Sequence, residues 1–557
     1  MPELRGLGVS PGIASGAVAR LAPPPRPPAD EVPGTDVEIE MARVTEALDQ
    51  VATTLDERAA AAGGEAADVL GATAMMARDP SLLSSVRSLL EDGRPTAHGV
   101  DAAFEGFCDV LSQAGGYLAE RVADLRDVRD RTLSVLLGLP MPGIPHPGHP
   151  YVLVGRDLSP ADTATLDPAE VLAIVTELGG PTSHTAILAK GLGVPAVVRC
   201  PGALALDDGT PVVVDGSAGT VLTDPGEQTL ADAEEKAAAR RSLTESGHGP
   251  GRTSDGTAVA LLVNIATVED ARRAALTDSE GVGLFRTEGL YLGRRSEPST
   301  AEQEATYAEV FSAFAGRKVV VRTLDAGADK PLAFVDVPAE ENPALGIRGL
   351  RVSRRHPHLL TGQLAALGAA ARSTGADVRV MAPMVSTPAE AHEFVAAARE
   401  AGLPVAGAMV EVPAAALRAK ALLTEVDFVS IGTNDLAQYT FAADRMAGEL
   451  ADLLDPWQPA LLDLIASVGE AGAATGTPVG VCGEAAGDPL LACVLVGLGV
   501  RSLSMAPSLV PAVRLVLRAH DLTRCTEMAV AARCSDDAET ARAAVRALAD
   551  TSVLAVL

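Results

Sequence analysis

The stretch ELGGPTSHTAILAKGLGVPAVV (177–198) places His184 after two glycines, Thr182 and Ser183, just where a helical spacing of apolar residues begins. The hydroxyls can cap that helix. Free N–H groups at a helix start and a glycine-rich backbone attract anions. An imidazole held there can accept a phosphoryl group. Further along, Arg286 (GLFRTEG), Arg322 (VVVRTLD) and Arg445 (FAADR) are read as strand-end arginines. Guanidinium groups match phosphate and carboxylate oxygens bidentately and stay charged. Each alone would be a surface or ion-pair residue, but three on one rim read as an anion site. Lys330 (GADK) adds a cation in a chain with only five lysines.

Two carboxylates, Glu411 in MVEVP and Asp435 in GTND, are predicted to end adjacent strands near these arginines. They read either as salt-bridge partners or as ligands of Mg2+, which takes one or two carboxylates and completes its shell with water and phosphate oxygens. Cys482, in VGVCGEAAGD, is either a small buried hydrophobe or a proton donor or acceptor at a reacting carbon. Asn264, Asp325 and Asn434 are further polar residues at predicted strand ends.

These positions follow from the element pattern. From Ala258 onward, eight short apolar strands are predicted at 258–265, 281–286, 318–325, 378–384, 405–412, 426–434, 477–483 and 500–506, mostly separated by helix-like stretches. That alternation predicts a (β/α)8 barrel over 251–557, with chemistry at the C-terminal strand ends. Upstream, apolar runs at 151–155, 171–176, 195–199 and 210–215, joined by residues 1–22, predict an α/β unit covering 1–22 and 144–223. Between those two pieces, residues 35–140 show helical periodicity, as in Met41, Val44, Leu48, Val51 and Leu55, and predict a four-helix insertion. Residues 224–250 read as a linker helix. The expected fold is therefore multidomain α/β: an α/β unit with an inserted helical bundle, followed by a TIM barrel.

The chain has 557 residues and a formal net charge of −28. An acidic chain lacks the basic footprint of a nucleic-acid binder. The segment Asp30 to Arg131 concentrates the charge, with 21 acidic residues against nine arginines and no lysine. The six cysteines form no CxxC pair, as expected of a reduced cytoplasmic protein. MPELRGLGVSPG lacks the basic and apolar regions of a secretory signal. The longest apolar run, near 490–500, is too short to insert into a membrane.

Together, GGPTSHTAILAKGLGVPAVV, GVGLFRTEGLYL, RTLDAGADKPL, EENPALGIRGLR, MVEVPAAA, SIGTNDLAQYTFAADR and VCGEAAGD resemble enzyme I of the bacterial sugar phosphotransferase system, end to end. The resemblance implies that the barrel binds phosphoenolpyruvate and Mg2+, and that His184 accepts the phosphoryl group. It implies substrate binding by Arg286, Arg322, Arg445, Asn434, Asp435, Lys330 and Arg348, metal binding by Glu411 and Asp435, and protonation of the enolate carbon by Cys482. It further implies docking of the phosphocarrier protein HPr on the helical insertion, where the acidic excess suits a basic partner, and homodimerisation through the barrel. Three positions depart from the family pattern: Lys190 stands where Arg is usual, Arg199 where Gly is common, and Val412 where Thr is frequent.

Two alternatives stay open at this point. A dikinase or phosphoenolpyruvate synthase shares the histidine unit and the barrel, but needs an ATP-binding domain before the histidine. The 183 residues preceding His184, about 100 of them helical insertion, are too few for one, and no P-loop is present. A catalytically silent regulatory homologue would have no need of His184, Glu411, Asp435 and Cys482 together.

Overall fold

A computed structural model describes residues 3–22, 24–62, 64–114, 122–139, 143–158, 166–167, 169–180, 184–246, 248–292, 294–327, 332–336, 340–445 and 450–554. The chain divides into two units, Met1–Glu235 and Lys236–Leu557.

In the first unit eight strands form one sheet: β1 (Glu3–Arg5), β2 (Leu7–Ser10), β3 (Ile13–Arg20), β4 (Tyr151–Gly155), β5 (Val171–Thr176), β6 (Ala196–Val198), β7 (Pro211–Asp215) and β8 (Thr220–Thr223). Their order is β1-β8-β7-β3-β4-β5-β6-β2. The central β3, β4, β5 and β6 run parallel, and the flanking strands are antiparallel. Successive side chains of a strand face opposite sides. Tyr151 and Leu153 of β4 therefore enter one apolar cluster, and Val152 and Val154 enter another. The Tyr151 side also receives Ala186 and Ala189 of the helix that His184 opens. Strand β8 has no counterpart in the sequence reading.

Between β3 and β4 lie α1 (Val37–Ala62), α2 (Gly64–Ala77), α3 (Pro80–Glu91), α4 (Thr96–Ala114) and α5 (Val122–Leu137). The expected core positions Met41, Val44, Leu48, Val51 and Leu55 are all buried. The expectation of four helices is corrected to five among the described residues. Asp79-Pro80 restarts the chain as a new helix, because the Asp79 carboxylate accepts the Ser81 N–H and Pro80 fits the first turn. The sixth helix, α6, spans His184–Leu192, and the seventh, α7, spans Glu227–Ser246 and contains the boundary between the units.

The second unit is a closed, all-parallel barrel of β9 (Ala260–Ile265), β10 (Gly281–Arg286), β11 (Lys318–Arg322), β12 (Val378–Ala382), β13 (Ala406–Val410), β14 (Val429–Ile431), β15 (Val479–Val481) and β16 (Ser502–Met505). Each observed strand lies inside a predicted one. Alternation sorts the strands into two layers. Val319 and Val321 join the outer core beneath the helices, while Val320 packs inside with Leu284, Met381, Met409, Phe428 and Cys482. The inner face of β11 thus reads Lys318, Val320, Arg322 from one barrel end to the other.

Candidate active site

The C-terminal end of the barrel is built on buried arginines held by carboxylates. Arg322, the last residue of β11, donates from Nη2 to Glu288 Oε1 at 2.8 Å, and its Nη1 lies 3.2 Å from Asp325 Oδ2. Arg348 forks onto the same Asp325, with Nη2–Oδ2 at 2.8 Å and Nε–Oδ1 at 3.3 Å. It also reaches Asp435 Oδ1 and the Tyr439 hydroxyl, each at 3.3 Å. Asp325 is therefore a buried bridge between the two guanidinium groups. Burial alone would lower both arginine pKa values. The surrounding carboxylates outweigh it and raise them, Glu288 and Asp325 for Arg322, Asp325 and Asp435 for Arg348. Arg322 Nε has no hydrogen-bond partner among the described residues and is buried. A donor so placed needs an acceptor from outside the chain.

Arg286 ends β10 and opens to solvent. Crowding by protein around this mouth, then the like charge of Arg322, lower its pKa. Two guanidinium groups that repel each other at this rim would be relieved by an anionic ligand.

Asn434 and Asp435 require a correction. They do not end a strand: β14 stops at Ile431, and both residues sit in the first turn of a helix, Thr433–Phe441. The run Gly-Thr-Asn-Asp is a helix start, and the strand reading extended the apolar period past it. The helix still delivers both side chains to the mouth. Asn434 Oδ1 accepts the Glu484 N–H at 3.1 Å, and Asp435 meets Arg348. Arg445 is corrected likewise: it lies beyond that helix, four residues after Phe441, and reaches Asp435 Oδ1 with Nη1 at 3.8 Å. Lys330 lies outside the described residues.

Glu411 follows β13 and is buried, accepting the Met384 N–H at 2.5 Å. Met384 takes a left-handed φ of 56°, a strained conformation for a side-chain-bearing residue that turns its N–H to this carboxylate. Burial, then Asp435 and Asp325, push Glu411 well above the ordinary carboxylate range. Two carboxylates that repel in a buried site fit a hard divalent cation, which would relieve that repulsion. Gly432 leaves room beside them, since a Cβ there would stand 3.0 Å from Glu411 Oε2. Among the described residues no three His, Cys, Asp or Glu side chains converge as a metal cage. Two carboxylates completed by water and substrate oxygens is the pattern that Mg2+ uses.

Cys482 follows β15 and is buried on the inner face. Its thiol lies 3.7 Å from the Ile431 carbonyl, and its own carbonyl accepts from Asn264 Nδ2 at 3.2 Å. Burial pushes the thiol pKa up to about 11, against a hydrogen bond from Ser430 that lowers it. Cys482 is thus a protonated thiol at neutral pH.

Sequence reasoning did not single out Glu288, Tyr439 or Met384. The signal for Glu288 was present: an acid two residues past an arginine that ends an apolar run. Tyr439 and Met384 carry no such signal, because only the fold brings them to Arg348 and Glu411.

In the first unit, His184 opens α6, as its spacing predicted. Its neighbour Thr185 donates to Asp157 Oδ1 at 3.1 Å and anchors the helix start. Thr182 and Ser183 lie outside the described residues. Arg199 adopts φ of 49°, and its Nε donates to the Gly179 carbonyl at 3.0 Å. This left-handed backbone explains why glycine suits the position.

Residues 240–522 match the PEP-binding domain of PEP-utilising enzymes, 147–219 their mobile domain and 5–121 their N-terminal domain. A Streptomyces coelicolor protein described as a phosphoenolpyruvate-protein phosphotransferase is 53% identical over 548 residues, covering 98% of this chain and 99% of its own. Proteins of the same description are 40% identical in Haloferax volcanii, covering 94% of this chain and 96% of its own, and 38% identical in Bacillus subtilis, covering 92% and 94%. With three domain matches in chain order and relatives spanning nearly its whole length, the chain belongs to the phosphoenolpyruvate-protein phosphotransferase family of PEP-utilising enzymes.

Proposed function

We propose that this enzyme takes the phosphoryl group of phosphoenolpyruvate onto His184, releases pyruvate, and passes the group to HPr as the first step of sugar phosphotransfer. The observation that carries this reading is the pair of buried, carboxylate-braced arginines at the barrel mouth, with Arg322 Nε left unpartnered. Phosphoryl transfer passes through a loose transition state, so positioning and charge neutralisation supply most of the catalysis. Arg286, Arg322, Arg348 and Arg445 hold the phosphate and carboxylate oxygens, with Asn434 and Lys330 assisting. A ring nitrogen of His184 attacks phosphorus in line, and the bond from phosphorus to the enol oxygen breaks. The enolate then takes a proton at its methylene carbon from the Cys482 thiol, giving pyruvate. The thiolate regains a proton from water. Glu411 and Asp435 would hold Mg2+, which supplies positive charge to the phosphoryl oxygens when bound.

In this reading residues 1–22 and 144–223 form the phosphohistidine carrier, and 35–140 dock HPr through their acidic surface. Residues 251–557 bind phosphoenolpyruvate and form a cytoplasmic homodimer. The carrier must reach two partners, so transfer requires movement about its linkers. The test is incubation of the full chain with Mg2+ and 32P-labelled phosphoenolpyruvate, followed by HPr. Label appears on the enzyme and then on HPr, and His184→Ala takes up none. Labelling of His184→Ala, or labelling by ATP and not by phosphoenolpyruvate, overturns the reading.

A further inference from the structure

The N-terminal end of the barrel holds a cavity of about 50 Å3 that the chemistry at the opposite end does not use. Its polar lining consists of Lys318, Arg379, Ser430, Ser502 and Ser504, and no carboxylate lines it. A barrel interior is ordinarily filled by layers of branched aliphatic side chains. Here Gly283 and Gly480 withhold that filling. A Cβ on Gly480 would stand 2.3 Å from Ser502 Oγ, and one on Gly283 would stand 2.5 Å from Ser504 Oγ. The hydroxyls occupy the space the glycines leave.

Lys318 is the anomaly in this wall. An ammonium carries three donors, yet among the described residues the Lys318 side chain has no hydrogen bond and no ion pair. Burial, then the like charge of Arg379, lower its pKa against the weaker opposing pull of Glu280 and Asp377. The acids of the region are engaged elsewhere. Asp377 forks onto Arg379 at 3.2 and 3.0 Å, and Glu280 accepts the Gly251 N–H at 2.8 Å. Ser504 is also engaged, donating to Asn264 Oδ1 at 2.6 Å, and Ser430 bonds the Cys482 thiol. Ser502, like Lys318, has no partner among the described residues. A half-buried cation and a half-buried hydroxyl, neither with a side-chain partner among the described residues, therefore face one small cavity.

We propose that this cavity binds one small inorganic anion of halide size, held by Lys318, Arg379 and the Ser502 hydroxyl. The volume admits an ion of that size, since a cavity needs only about 10–15 Å3 of probe-occupied space to hold one water. The site shares no residue with the phosphoenolpyruvate site and stands whether or not that reading holds. A ligand that binds only the folded barrel raises its stability by mass action.

Two measurements test it. Crystals of the full chain grown with bromide in place of chloride should show an anomalous peak between Lys318 and Arg379. Replacing gluconate by chloride at fixed ionic strength should raise the unfolding temperature by a few degrees, and Lys318→Met should abolish that rise. Ser502→Glu, which tethers a carboxylate in the cavity, should unfold at a higher temperature and ignore chloride. It decides the question if Lys318→Met does not fold. Absence of bromide from the floor, water alone in the cavity, or a chloride response kept in either variant overturns the proposal.

Discussion

The two ends of the barrel use cations in opposite ways, although the same strands build both. At the C-terminal mouth, each buried arginine is braced by acids: Arg322 by Glu288 and Asp325, Arg348 by Asp325 and Asp435. At the N-terminal floor, Lys318 stands four residues before Arg322 on the inner face of β11, yet no carboxylate lines its cavity. Bracing fixes a guanidinium in one geometry and lets it stay charged when buried. Such a group presents a rigid, preorganised donor, which suits stabilisation of developing charge. An unbraced ammonium presents charge without orientation, which suits a spherical ion.

The contrast is broken most severely by Arg322→Ala. Removing one preorganised donor to developing charge costs about 10³-fold, and steady-state kcat/KM for phosphoenolpyruvate should fall by that factor. Next comes Cys482→Ala, which keeps the arginines but removes the proposed acid. Pyruvate formation should fall about 10²-fold, while isotope exchange between phosphoenolpyruvate and the phosphoenzyme falls less. Equal loss of both would remove its role as acid.

Glu288→Gln sharpens the comparison by making the mouth resemble the floor. The guanidinium stays, its brace weakens, and KM for phosphoenolpyruvate should rise about tenfold, as for loss of roughly 1.4 kcal/mol. Glu288→Asp should recover part of the loss. At the floor, Gly480→Ala should leave its mark on stability, at about 1 kcal/mol by denaturant unfolding, because the added methyl meets Ser502 Oγ. The smallest effect is on pH dependence. With its pKa pushed up to about 11, Cys482 keeps its proton through pH 7 to 9 and loses it only as pH rises toward 11. The pyruvate-forming rate should therefore show no loss attributable to this thiol below pH 9, and a fall near pH 8 that Cys482→Ser abolishes would contradict the burial.

Much of this was legible in the sequence, for particular reasons. Arg286 and Arg322 close apolar runs of strand length, so their place at strand ends followed from period and length. Asn434 and Asp435 were misplaced because the run 426–434 ends as SIGTN, and the helix start in that run is not marked by a change in hydropathy. The extra helix in the first unit starts at Asp79-Pro80, a cap and first-turn proline that the apolar period alone does not mark. Glu288 went unassigned because a lone acid after a strand is usually a solvated residue. Its burial depends on Arg322 arriving from the next strand.

The sequence by itself determined the element types, the strand–helix alternation that closes a barrel, the helix start at His184 and the chemical kinds of residue at the barrel mouth. These depend on local period, turn chemistry and residue type, which the chain carries from one position to the next. Tertiary structure alone decided which charge faces which. Asp325 meets Arg348, Glu411 receives the Met384 N–H, and Lys318 forms no ion pair among the described residues, because barrel closure and strand register set distances between residues far apart in the chain. Charge pairing falls off with distance and depends on burial, so those contacts, and the difference between the two barrel ends, exist only in the folded molecule.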